Sequence, residues 1–303
     1  MISKKREPKA SSAAGVTLRR AAYCLASLAC FGLSACSEPP QESTGDDWSG
    51  PQGGWEQVFF DDFTGPAGTL PNALSWNQEI NGAPDNQEKE YYTGRPNNIA
   101  LDGSGHLVIQ ALREHYAYGS GRVSSQPFTS ARTNTQGRME MTYGRVEARL
   151  KLPAGKGLWP AFWLLGNDIK SVGWPACGEL DVFELAGSKP SVITGSMHGP
   201  GYSGGSALSA QFSLGSARFA DDYHVFALEW TADGVRWLVD ERVYHSRTRQ
   251  GMADIGKTWV FDHPFFMILN LAVGGSYDGD PDPITEFPSQ MLVDYVRVSR
   301  AKP

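Results

Sequence analysis

From Trp55 onward, short runs rich in β-branched and aromatic residues are separated by Gly, Pro, Asn and Asp, and several runs alternate apolar and polar positions with period two. Val58-Phe59-Phe60 and the stretches 107–111, 144–152, 223–230 and 235–240 read as strands, and Asp233-Gly234 between the last two reads as a hairpin turn. No stretch keeps an amphipathic 3.6-residue period for three turns. Many evenly spaced strands without an internal repeat predict one all-β domain over 55–303, built as a sandwich of two sheets.

One run departs from the alternation. Glu179-Leu180-Asp181-Val182-Phe183-Glu184 sets three carboxylates into an apolar strand. An unpaired ionised carboxylate taken from water costs several kcal/mol or holds its proton instead. Side chains at i and i+2 share a strand face, so Glu179 and Asp181 point one way and Glu184, at i+5, points the other. A β-bulge at Val182-Phe183 returns Glu184 to the shared face and leaves one of the two apolar residues to enter the core. The glutamates then stand roughly 13 Å apart at Cα, and their side chains can bring the carboxyl groups to the ~5–5.5 Å of a retaining glycosidase. On a helix the same spacing puts them about 140° apart, with no shared site. A solvated edge strand with incidental acids is the plain alternative, and the flanking Val182, Phe183 and Leu185 argue against it.

Composition narrows the setting. The chain has 303 residues, 41% apolar and 11% aromatic, ample for a folded core. Residues 1–35 differ: Lys4, Lys5, Arg6, Lys9, Arg19 and Arg20 precede an apolar run over 21–33, the pattern of a secretory signal. The run is too short to span a bilayer comfortably. Leu33-Ser34-Ala35-Cys36 matches a lipobox, in which Cys36 is lipidated and begins the mature chain. Several acyl chains on one cysteine anchor a protein stably, which predicts an exported, membrane-anchored lipoprotein. Arg19-Arg20 alone does not identify the twin-arginine route. Residues 36–54, rich in Pro, Gly, Ser and acids, read as a flexible linker. Without residues 1–35 the chain keeps 21 basic and 32 acidic residues, a net charge of −11 that speaks against nucleic acid. Cys24 and Cys30 leave with the signal and Cys36 is acylated, so Cys177 stands without a disulfide partner.

Other constellations are weaker. Gly201-Tyr202-Ser203-Gly204-Gly205 has the spacing of a nucleophile elbow but lacks the strand-to-helix setting. Cys177 with His198 lacks the basic surroundings a thiolate needs. Asp278-Gly279-Asp280-Pro281-Asp282 begins like a calcium loop, yet Pro283 takes the turn glycine's place and Ser289 the terminal acid's. The six histidines show no metal spacing. Trp159, Trp163 and Trp174 lie within 20 residues of the acids; most tryptophans are core, but indole faces in an acid-lined groove stack on sugar rings.

These residues resemble glycoside hydrolase family 16, and within it the bacterial laminarinase-like endo-β-1,3-glucanases. The acid run is similar to the family's E-[IL]-D-x-x-E signature in the version with the extra bulge residue. Tyr143-Gly144-Arg145-Val146-Glu147-Ala148-Arg149, Trp159-Pro160-Ala161-Phe162-Trp163-Leu164-Leu165-Gly166, Leu269-Asn270-Leu271-Ala272-Val273-Gly274-Gly275 and Val293-Asp294-Tyr295-Val296-Arg297-Val298 match as well, so the likeness spans about 58–299.

The resemblance implies a concanavalin-like β-jelly-roll sandwich of two antiparallel sheets, with a glycan cleft on its concave face. It implies retaining endo-hydrolysis of β-1,3-glucosidic bonds in laminarin-like glucans, with Glu179 as nucleophile, Glu184 as general acid/base and Asp181 as the helper between them. Asn98, Arg132, Trp159, Trp163 and His198 match positions lining the donor side, and Trp174 joins them as a substrate contact. No cofactor is required for catalysis. A structural calcium ion is implied at Asp62, Gly103 and Asp294, although Asp62 stands where the family usually has Glu. The protein is expected to act as a monomer on a β-glucan polysaccharide. Mixed-linkage β-1,3-1,4-glucan and agar are the alternative substrates. A lectin-like glycan-binding module is the non-enzymatic alternative, against which the complete acid trio speaks.

Overall fold

Alternation along the strands is visible directly in burial: Leu107, Ile109 and Ala111 are fully buried, whereas Val108, Gln110 and Leu112 between and beside them are not. A computed structural model of the chain describes residues 53–82, 85–119 and 124–302; the leader, Cys36 and the linker up to residue 52 lie outside the described residues. In chain order the strands are β1 (Trp55–Asp61), β2 (Asn77–Gln78), β3 (Glu90–Tyr92), β4 (Ile99–Leu101), β5 (Leu107–Tyr118), β6 (Ser124–Ser130), β7 (Arg132–Asn134), β8 (Glu140–Met141) and β9 (Gly144–Lys151), followed by β10 (Leu158–Gly166), β11 (Glu179–Leu185), β12 (Val192–His198), β13 (Leu208–Ser213), β14 (His224–Trp230), β15 (Gly234–Val239), β16 (Arg242–Thr248), β17 (Phe265–Val273) and β18 (Ser289–Ala301). Two short helices, α1 (Ile169–Val172) and α2 (Arg249–Asp254), complete the inventory of the described residues apart from a 3-10 turn at Gly204–Ser206.

These strands form two sheets among the described residues. One has ten strands in the order β16-β15-β14-β9-β18-β5-β6-β3, with β1 beside β18 and β4 beside β5. The other has eight, β13-β12-β11-β10-β17-β7-β2, with β8 beside β17. All pairs are antiparallel except β3 with β6. The result is the all-β jelly-roll sandwich that the resemblance implies. The core lies between the sheets, where Phe183 of β11 meets Phe226 of β14 with ring centroids 4.3 Å apart. The opposite face of the ten-stranded sheet is closed by ion pairs: Arg145 reaches Glu147 at 2.6 Å and Glu229 at 2.7 Å.

The predicted strands are present, with shifted ends. The run 107–111 continues to Tyr118, and the hairpin between β14 and β15 turns at Thr231–Asp233, so Gly234 opens the second strand. Tertiary pairing with β6 extends β5 where the sequence lacks an apolar alternation.

Candidate active site

Register places the acids. In β11, Glu179 pairs with His198 of β12 and Asp181 with Ser196, but Glu184 pairs with Thr194, so Val182 and Phe183 together face Gly195. The same irregularity appears against β10, where Phe183 pairs with Phe162 and Asp181 with Trp163. This is the predicted bulge, and it turns Glu184 to the face of Glu179 and Asp181. The expectation that one of the two apolar residues enters the core is corrected: both Val182 and Phe183 are fully buried.

The registers of neighbouring strands line the residues up in rows across the sheet. One row runs Arg132, Asn270, Ala161, Glu184 and Thr194; the next runs Asn134, Ile268, Trp163, Asp181 and Ser196. A third carries Phe266, Leu165, Glu179 and His198. Three acids at successive positions are thus flanked on one side by Ala161, Trp163 and Leu165, with Arg132 farther along the first row, and on the other by small hydroxyls and an imidazole.

Three indoles donate into this site. Trp174 Nε1 donates to Glu179 Oε2 at 2.9 Å, Trp159 Nε1 to Glu184 Oε1 at 3.0 Å and Trp163 Nε1 to Asn270 Oδ1 at 2.8 Å. Trp174 is 48% exposed, so its ring faces remain open to a ligand. Trp163 carries the Arg132 guanidinium over its ring at 4.7 Å, and Arg132 is paired with Glu79 at 3.1 Å. Trp159 is stacked on Tyr277, with centroids 4.8 Å apart and planes 23° from parallel. Tyr277 in turn donates to Thr194 Oγ1 at 3.2 Å.

His198 completes the centre. Its Nδ1 accepts from the Gly204 N–H at 3.1 Å, which puts the ring hydrogen on Nε2, 2.9 Å from Asp181 Oδ2 and 3.6 Å from Glu179 Oε1. The approach to Asp181 lies off the N–H direction, so buried Oδ2 has a close neighbour but no well-aligned donor. Glu179, Asp181 and His198 present ligand atoms within 4.8 Å of one another, a possible metal donor set. A metal would need the Nε2 lone pair with Nδ1 donating outward, and Nδ1 here accepts instead.

Burial and mutual repulsion govern the protons. Burial first, then the Asp181 charge, pushes Glu179 up to about 8, against the opposing pull of His198, the Trp174 N–H and Arg132. Burial likewise pushes Asp181 up to about 8. Glu184 is raised well above the ordinary range by burial and then by the charges of Asp181 and Glu179. Three acids this close titrate as a unit.

Two sets of residues expected at sites hold other partners in this structure. Asn98 is fully buried, its Oδ1 accepting from Thr93 and Arg95 and its Nδ2 donating to Gln110 O and Thr129. The calcium set is not assembled: Asp294 takes Arg149 at 2.6 Å, while Asp62 is exposed and accepts from the Thr64 N–H. The guanidinium already supplies the positive charge beside Asp294. Gly103 offers only a carbonyl, and no group of three His, Cys, Asp or Glu ligands forms there among the described residues. The donors do not fit a calcium ion. Cys177 is buried, and burial with the nearby Asp168 and Glu179 charges pushes its thiol up to about 11, consistent with a packed, unreactive side chain.

Residues missed by sequence reasoning include Tyr277, Asn270 and Tyr92. Asn270 accepts from Trp163 and donates to Tyr92 Oη, which donates to Glu88. A polar residue in the otherwise apolar run of β17 was the available signal. A cavity of about 650 Å³ lined by Arg113, Pro281, Asp282, Pro283, Thr285 and Phe287 holds none of the three acids.

Residues 87–297 match the family Glycosyl hydrolases family 16, and the chain belongs to that family. It is a glycoside hydrolase, and the family needs no catalytic cofactor. The chain is 38% identical over 258 residues to a beta-glucanase of Rhodothermus marinus, covering 81% of this chain and 85% of that protein. Among solved structures it resembles the laminarinase catalytic domain of Thermotoga maritima MSB8, at 41% identity and a TM-score of 0.76 over 82% of this chain and 99% of that one. It also resembles the endo-beta-1,3-glucanase of Pyrococcus furiosus, at 43% identity and a TM-score of 0.76, covering 81% of this chain and 94% of that one.

Proposed function

We propose that the protein is an exported, lipid-anchored endo-β-1,3-glucanase that cleaves laminarin-like glucans with retention of configuration. One observation carries the chemistry: the bulge sets Glu179 and Glu184 on one face with Asp181 between them, and a different indole N–H meets each glutamate. The named activities of its relatives support the choice of glucan.

Glu179 is the nucleophile. The Trp174 N–H, His198 and Arg132 all favour its ionised form, which must attack the anomeric carbon. Glu184 is the acid/base: burial and the charges of Asp181 and Glu179 favour its protonated form, and the bulge sets it on the face of Glu179. In the first step Glu184 gives that proton to the glycosidic oxygen as the C–O bond breaks and a Glu179 oxygen bonds to carbon. In the second, Glu184 takes a proton from water, the water oxygen displaces Glu179, and both carboxyl groups return to their starting states. Asp181 lies between them, with His198 Nε2 2.9 Å from its Oδ2, and its ionised form favours the protonated form of Glu184.

Trp174 and Trp159 supply ring surface for sugars, and Arg132 with Trp163 borders the row beyond Glu184. Arg132 is already paired with Glu79, which leaves it poorly suited to the sulfate groups of anionic polysaccharides. The lipobox at Cys36 supports the anchor, the charge of −11 speaks against nucleic acid, and we take the working unit as a monomer.

Reducing-sugar release from laminarin, lichenan, agarose and xyloglucan tests this reading. The wild-type domain should act fastest on laminarin, and Glu179→Gln should lower the rate by several orders of magnitude. Binding to laminarin without release of reducing ends would instead indicate a lectin-like module.

A further inference from the structure

A bulge frees backbone carbonyls from the sheet ladder, and a carbonyl left without a donor inside a core is strongly unfavourable. In β11 these carbonyls have specific partners from the facing sheet. Trp237 Nε1 of β15 donates to Asp181 O at 2.7 Å, and Tyr244 Oη of β16 donates to Val182 O at 3.4 Å. Trp237 is fully buried and Tyr244 is 3% exposed, so water does not compete for either carbonyl.

Two further features converge on this point. Trp237 pairs with His245 while Leu238 pairs with Val243, so Tyr244 is itself the extra residue of a second bulge, in β16. That bulge turns the Tyr244 ring inward beside Trp237. Opposite Val182 and Phe183 on β12 stands Gly195, where a Cβ would collide with Tyr244 Oη and would lie 2.7 Å from Trp237 Cδ1. Only glycine leaves the passage through which both side chains reach the bulge.

We infer that Trp237, Tyr244 and Gly195 are positioning residues for the general acid/base: together they hold the extra residue of β11 in place and so keep Glu184 on the face of Glu179. The inference rests on Glu184 being the acid/base. Removing either donor lets the bulge relax or slip, and a one-residue slip turns Glu184 towards the core. Glu179 and Asp181, on the N-terminal side of the bulge, keep their places.

The effect is therefore on proton delivery more than on nucleophilic attack, and leaving-group dependence reads that difference. Departure of a sugar from laminarin needs a proton, whereas 2,4-dinitrophenolate leaves 2,4-dinitrophenyl β-laminaribioside without one. kcat/KM on both substrates is measured for wild type, Glu184→Gln, Trp237→Phe and Tyr244→Phe, with circular dichroism and thermal unfolding as the check on folding. Trp237→Phe should lose roughly 10-fold or more on laminarin and stay within about threefold on the aryl glycoside, the pattern expected of Glu184→Gln in weaker form. Tyr244→Phe, which loses only a hydroxyl, should show the same selectivity to a smaller degree, and it carries the test if Trp237→Phe does not fold. Equal losses on both substrates, or no loss on laminarin, overturn the inference. If Glu184→Gln itself loses both substrates equally, the acid/base assignment fails and the inference falls with it; selective loss in Glu184→Gln alone overturns only the positioning role.

Discussion

Glu179 and Glu184 are the same amino acid given opposite tasks in the proposed mechanism, and their neighbours differ. Burial and the Asp181 charge raise Glu179, and His198, the Trp174 N–H and Arg132 pull it back towards the carboxylate. Glu184 has the Trp159 N–H, and burial with the charges of both Asp181 and Glu179 favours its acid form. Replacing Trp174 by Phe removes a donor from the ionised nucleophile. The acid limb of the kcat/KM profile, set by Glu179 protonation, should move to higher pH, while the basic limb, set by Glu184, stays in place. A pH profile on laminarin checks this, and an acid limb that stays put would leave Trp174 as a sugar contact alone. The chemistry of single residues was legible where residue type carried it, as with the three acids, but not where partners did. Asn98 has the composition of a ligand contact, and only the fold reveals that Thr129, 31 residues away, consumes its amide.

At the scale of an element, β11 trades stability for function. A buried acid whose folded-state pKa is raised contributes stability that is present below its unfolded value, near 4, and is lost as pH rises through the folded value. Glu184 is raised, so the wild-type domain should be weakened at pH 8 relative to pH 4 by this group. Glu184→Gln keeps an oxygen to accept from Trp159 and removes the charge. Its Tm should exceed that of wild type by a few degrees at pH 8, since about 1 kcal/mol moves Tm by roughly 2–4 °C in a domain of this size, and the gain should shrink towards pH 4. Differential scanning calorimetry at the two pH values decides it, and a variant less stable at pH 8 would refute the strain. The bulge itself was legible, because period two cannot bring positions 179, 181 and 184 to one face without it. The clamp from Trp237 and Tyr244 was not, since it depends on which strands of the other sheet pack opposite β11. Tyr277 was missed for the same reason: its stack on Trp159 joins the loop after β17 to β10.

Across the whole molecule, the two-sheet sandwich holds the acids on the face of the eight-stranded sheet turned away from the core, while the other sheet supplies the donors behind them. The fold class was readable from evenly spaced strands, but strand order was not, because β18 pairs with β1, β5 and β9 from distant parts of the chain. The lipobox adds a prediction of its own. Expressed with its leader in a host with a lipoprotein pathway, the protein should sediment with membranes and incorporate labelled palmitate, and Cys36→Ala should abolish both. A soluble, unlabelled wild type would remove the anchor. The central claim, retaining cleavage of β-1,3-glucan by Glu179 and Glu184, is tested most directly by proton NMR of the anomeric region during the first minutes of laminarin hydrolysis. The β-anomer of the new reducing end should appear first, with the α-anomer growing in later by mutarotation; initial formation of the α-anomer would contradict the double-displacement mechanism.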